Sequence, residues 1–189
     1  SGVRVTVARF YTPSGRCIQK PYDKDYEYDI LKRYTAGEMV DADSIKVNDT
    51  LKFATKGGRT VYGGGGITPD VFVPLDTSGV TDFLVSCNRL SLQAKFSNQI
   101  ADRYREKLRS IEDIKSLDSF LDGLGLKEKF IKYAAQSGVN LKDGEWEISG
   151  EIIETQLRAL IGRNTPMNDD AFYRIYLSID NVVKSVLEK

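Results

Sequence analysis

The sequence predicts an α+β chain, with a β-rich part over residues 1–77 and a helical part over residues 78–189. Two observations predict it. Up to about Asp76, short apolar runs lie between glycine-rich turns, the pattern of strands and chain reversals. Beyond Asp76, apolar residues recur three or four positions apart with short breaks, as on one face of successive helices. With 189 residues, 41% of them hydrophobic, the chain is long enough for one globular domain or two small units.

In the first part, Val3, Val5 and Val7 alternate with Arg4, Thr6 and Ala8, a period of two that predicts a half-buried strand running on through Phe10 and Tyr11. Thr12-Pro13-Ser14-Gly15 ends it as a turn, with proline setting φ and glycine relaxing it, after which Cys17, Ile18 and Gln19 resume the strand direction. An insert covers about residues 20–56. Within it, Tyr22, Tyr26, Tyr28 and Tyr34 stand among charged residues, and Asp29 to Tyr34 predicts a turn or two of helix. Tyrosine has an apolar body, so these rings are expected to fold down as a local cover rather than form a binding surface. Leu51 to Ala54 and Thr60 to Tyr62 flank Thr55-Lys56-Gly57-Gly58-Arg59, a hairpin signal. Gly63 to Gly66 predict a sharp reversal that needs positive φ, and Val71 to Val73 one more short strand closed by Pro74.

In the second part, Ser91 is placed to cap a helix carrying Leu92, Phe96, Ile100, Tyr104 and Leu108. Ser116 is placed to cap Leu117, Phe120, Leu121 and Leu124 before Gly125. Phe130, Ile131 and Ala134 predict a helix ending near Gly138. Ser149 precedes Ile153, Leu157, Leu160 and Ile161, with Glu151 and Glu154 near the positive end of that helix. Asn168 opens a last helix striped by Phe172, Tyr176, Ile179, Val183 and Val186. Such stripes are core, and none has the basic polar face of a membrane-surface helix.

Lys+Arg and Asp+Glu number 27 each, so no charge excess points to nucleic acid or an anionic membrane. No run approaches the roughly 18 apolar residues of a membrane span, and residues 3–10 lack the apolar core of a signal peptide. The absence of histidine excludes Ser–His and Cys–His mechanisms and the usual zinc sites. Cys17 and Cys87 lie in no metal-ligand spacing; reduced, each acts as a small apolar side chain, while a disulfide stays open in an oxidising compartment.

The glycine-rich loop leads through Ile67 and Pro69 into a strand rather than a helix, so it matches neither phosphate-binding fingerprint. A nucleotide-binding reading of Gly63 to Gly66 ranks last. No Ser-x-x-Lys or Gly-x-Ser-x-Gly occurs, and Ser14 reads as a turn-stabilising hydroxyl. Asp41, Asp43 and Asp49 read as solvated loop residues, and Asp169 and Asp170 as helix-start acids. No catalytic, cofactor-binding or metal-binding residue is therefore expected within this chain.

Three linked motifs stand out: Tyr11-Thr12-Pro13-Ser14-Gly15, then Ile18-Gln19, then Gly66-Ile67-Thr68-Pro69-Asp70. In order and chemistry they resemble the segment after the catalytic lysine in C-terminal processing peptidases, the tail-specific serine proteases with a Ser–Lys dyad. The intervening Lys20 to Gly65, with Gly58-Arg59-Thr60-Val61-Tyr62 before four glycines, resembles the long form of Bacteroidetes-type members. The resemblance implies a partial β-rich element of a serine protease core, followed by a C-terminal helical domain. It makes Thr12, Pro13, Ser14, Gly15, Ile18, Gln19, Gly66, Ile67, Pro69 and Asp70 structural residues.

In the family a serine attacks the scissile carbonyl and a buried neutral lysine acts as base. The resemblance implies that both, and a PDZ-like domain that engages substrate tails, lie upstream of the matched part. The chain alone would then be inactive. Its partners would be the upstream protease core and PDZ-like domain, with protein substrates reached through the parent, and its location the periplasm or cell envelope. A strand left without its sheet exposes N–H groups and apolar side chains. Val5, Val7 and Phe10 are accordingly expected either to be covered by the insert or to mediate self-association through Val3–Tyr11. The rival reading is a free-standing, non-enzymatic protein-binding module.

Overall fold

The structure is a computed structural model that describes residues 2–3, 5, 7–20, 26–45 and 49–188, with Asp49 as backbone only. At the coarse level it is α+β, helices together with one small two-stranded sheet. The chain divides into two compact units, Ser1–Leu75 and Asp76–Lys189.

The first unit contains helix α1 (Asp29–Thr35), 3-10 turns at Ala42–Ser44 and Asp49–Leu51, and strands β1 (Lys52–Ala54) and β2 (Thr60–Tyr62). The strands pair antiparallel, with Phe53 opposite Val61. Gly58 closes their turn at φ +77°, donating its N–H to the Thr55 carbonyl at 2.9 Å. A left-handed position there suits glycine because no Cβ clashes with the backbone.

Two expected strands do not form. Among the described residues of Val3–Tyr11, only Tyr11 is bridged, to Cys17, and no ladder includes Val71 to Val73; Arg4 and Thr6 lie outside the described residues. The alternation is present in sequence, but a strand exists only when a neighbour supplies hydrogen-bond partners, and among the described residues the only bridge to this segment is Cys17's, to Tyr11.

Of the two alternatives expected for these residues, cover by the insert or pairing with a second copy, the described insert residues do not supply the first. Val3, Val5, Val7 and Phe10 are 87%, 73%, 92% and 80% exposed. Tyr26, Tyr28 and Tyr34 also stay exposed rather than folding down, because the described residues of the unit form no apolar core for them to cover; Tyr22 lies outside the described residues. No described residue of the first unit is buried.

The second unit holds the core. It is built from α2 (Asp82–Arg89), α3 (Leu92–Arg103), α4 (Arg105–Arg109), α5 (Ile114–Asp122), α6 (Leu126–Gln136), α7 (Glu145–Gly162), α8 (Asp169–Tyr176) and α9 (Asn181–Leu187). α7 packs against α3 and α8. Phe83, Leu108, Leu117, Leu121, Phe130, Ile153, Leu157 and Ile161 are almost fully buried between the helices. Phe130 meets Phe83 and Phe96 edge-on, at 6.4 and 5.5 Å between ring centres, the orientation favoured by aromatic quadrupoles.

The apolar stripes are core, but several boundaries move. The stripe from Leu92 to Leu108 is divided at Tyr104 between α3 and α4. Ser91 does precede α3, yet in a left-handed conformation (φ 54°) and without a side-chain cap. Asp113, not Ser116, caps α5: its carboxylate accepts from the Ser116 N–H at 2.8 Å and from the Ser116 hydroxyl at 2.7 Å. Those bonds hold the Asp113 carboxyl below the usual carboxylate range.

α6 ends as expected from the glycine, with Gly138 at φ +82° and Val139 donating back to the Ala134 carbonyl at 2.9 Å. α7 begins at Glu145, so Ser149 is a buried interior residue, and Glu145 and Glu147, not Glu151 and Glu154, occupy its first turn. The last predicted helix is two, because Leu177–Ile179 tightens to 3-10 geometry and Asp180 caps α9 afresh.

Candidate functional site

In the first unit the structure brings the three sequence motifs together. Pro13 occupies the second position of a turn closed by the Gly15 N–H on the Thr12 carbonyl at 2.8 Å, with Gly15 at φ +81°. The Thr12 N–H donates to the Arg16 carbonyl at 2.9 Å, and the Tyr11–Cys17 bridge completes the base of the turn. Ser14 shares a 2.9 Å hydrogen bond with the Thr12 hydroxyl, so its oxygen is engaged locally within the turn. A hydroxyl so placed serves the turn.

The second and third motifs meet through one bond, from the Gly66 N–H to the Ile18 carbonyl at 2.7 Å. Arg16 reaches across to the Tyr62 carbonyl at 3.4 Å, tying the first motif to β2. Asp70 accepts from Arg59 at 2.8 Å. The glycine run is shaped by close approach as well as by φ: a Cβ on Gly63 would lie 3.0 Å from the Phe53 ring. Ile67 is exposed, and Thr12, Ser14 and Gln19 are half-buried. Two buried polar atoms here, Arg16 Nε and Gln19 Oε1, have no hydrogen-bond partner among the described residues.

Beside this cluster lies a polar cleft of about 260 Å³ bounded by Lys20, Asp29, Arg33, Glu38 and Gly63 to Gly65. Its cations are committed: Lys20 pairs with Asp29, and Arg33 with Glu38 at 2.8 Å. The Lys20 bond holds the Asp29 carboxyl below its usual range. A phosphate entering here would have to displace a carboxylate from each cation, which disfavours the nucleotide reading.

The second unit has a site that sequence reasoning missed. Gln93 on α3 is only 4% exposed, and its Nε2 donates to Asn88 Oδ1 at 2.8 Å and to Gln156 Oε1 at 3.1 Å. These carboxamides stand in a cleft of about 290 Å³ with Ala94, Leu160 and Tyr176. The available signal was Gln93 and Ser97, polar residues four apart immediately beside the stripe of Leu92, Phe96 and Ile100, where buried positions are due.

Both cysteines are free thiols. Burial, with the Glu145 charge second, pushes the Cys87 thiol up to about 11. Among the described residues no cluster of His, Cys, Asp and Glu could hold a metal ion, and no helix is long and apolar enough to cross a membrane.

Residues 84–165 match a family model described as a family of unknown function (DUF8443). That match lies wholly within the second unit and does not reach the motifs between Thr12 and Asp70. No curated protein and no solved structure matches the chain.

Proposed function

We propose that the chain is the C-terminal portion of a carboxyl-terminal processing serine endopeptidase. Its first unit completes the protease core, and its second is an added helical domain. The nucleophilic serine and the lysine base belong to the upstream part, together with the PDZ-like domain, so the chain by itself hydrolyses nothing. Substrates are the C-terminal regions of proteins, met in the periplasm or cell envelope.

One observation supports this reading: the second and third motifs of the resemblance meet in one unit, with the Gly66 N–H on the Ile18 carbonyl at 2.7 Å, whereas the exposure of Val5, Val7 and Phe10 counts against it unless a second copy or another sheet covers them. The described residues of the first unit, none of them buried, have little to offset the conformational entropy of ordering them. A sheet that accepted Val3–Tyr11 would supply the missing hydrogen bonds and cover one apolar face. Gln19 Oε1 and Arg16 Nε, unpaired among the described residues, fit the same picture, since buried polar atoms are normally satisfied. Self-association through Val3–Tyr11 is the alternative by which the isolated chain would hide the same face.

The exposed Tyr26, Tyr28 and Tyr34 favour a second reading, a free-standing binding module, because tyrosine suits interfaces that are apolar on one side and wet on the other. An immunoblot of source cells with an antibody to this chain separates the two. A band well above 21.2 kDa, in the envelope fraction and carrying a serine and a lysine whose replacement abolishes tail cleavage, is expected. A band near 21.2 kDa with no larger precursor overturns the protease reading in favour of the module.

A further inference from the structure

We draw no further inference here: the strongest candidate, the exposed apolar patch of Val3, Val5, Val7 and Phe10 on the first unit, carries nothing beyond the proposed function because nothing in the structure shows what covers it.

Discussion

Gly150 shows how a single residue is dictated by its neighbour. It lies in the middle of α7, where glycine is about 1 kcal/mol less favourable than alanine. A Cβ there would fall 2.6 Å from the indole nitrogen of Trp146, one turn earlier, and within 3 Å of two of its ring carbons. The indole is rigid, so accommodating a methyl means turning the whole ring out of its packing. Overpacking of that kind costs about 1–3 kcal/mol, more than the helix gains. Gly150→Ala is therefore expected to lower stability by about 1 kcal/mol and to shift Trp146 fluorescence; an unchanged urea midpoint and spectrum would refute the argument.

Cys87 makes a second residue-level case. Its folded pKa lies above the unfolded one, so the thiol favours the native state fully below the unfolded value of 9.0, and that contribution is lost as pH rises towards about 11. In the native chain at neutral pH, a thiol reagent is expected to modify half-buried Cys17 and spare Cys87, with both reacting in denaturant. Equal native rates would count against the burial argument.

At the scale of elements, α2 is held to α7 by a polar junction. The Thr81 hydroxyl caps α2 by accepting from the Leu84 N–H at 3.2 Å, and it lies 2.9 Å from the Ser149 hydroxyl, which donates to the Glu145 carbonyl. The Glu145 carboxylate accepts from the Phe83 N–H at 3.0 Å and the Lys142 N–H at 2.9 Å, so one acid serves the starts of two helices. Thr81→Val keeps the branched shape and removes the hydroxyl, and is expected to cost about 1–2 kcal/mol by chemical denaturation. Thr81→Ser should restore most of it. A valine variant as stable as the parent would show that water replaces the cap.

The same junction explains why boundaries were harder to read than stripes. Ser149 looks like a helix start because serine favours that position. Its hydroxyl is instead satisfied by Glu145 four residues back and by Thr81, a residue 68 positions away that no local pattern reveals. The start of α5 shows the converse: Asp113 and Ser116 are both good caps in the right spacing, and only backbone geometry decides that the aspartate accepts and the serine donates.

For the whole molecule, the contrast between the two units governs behaviour. Every buried hydrophobic residue described lies between Phe83 and Ala171. Free energies of local opening follow buried apolar contact, so the first unit should open far more readily than the second. Brief trypsin digestion is expected to remove residues up to about the unit boundary at Asp76 and to leave a resistant helical fragment. A first unit that survives as long as the second would mean that its apolar face is covered, and self-association through Val3–Tyr11 would be the first explanation to examine by sedimentation.

The sequence by itself determined the coarse α+β class, the helix-facing stripes and the absence of histidine chemistry, because these depend on composition and on periodicities set by backbone geometry. It also determined the hairpin at residues 52–62, since a glycine pair between short apolar runs is a local signal. Whether Val3 to Tyr11 pairs with anything, and the meeting of Gly66 with Ile18, were decided by tertiary structure, as was the assembly of Asn88, Gln93 and Gln156 around one cleft. The physical reason is common to all three. A ladder or a carboxamide chain is made by groups distant in sequence, and alternation or spacing states only which face a residue shows, never what it will find there.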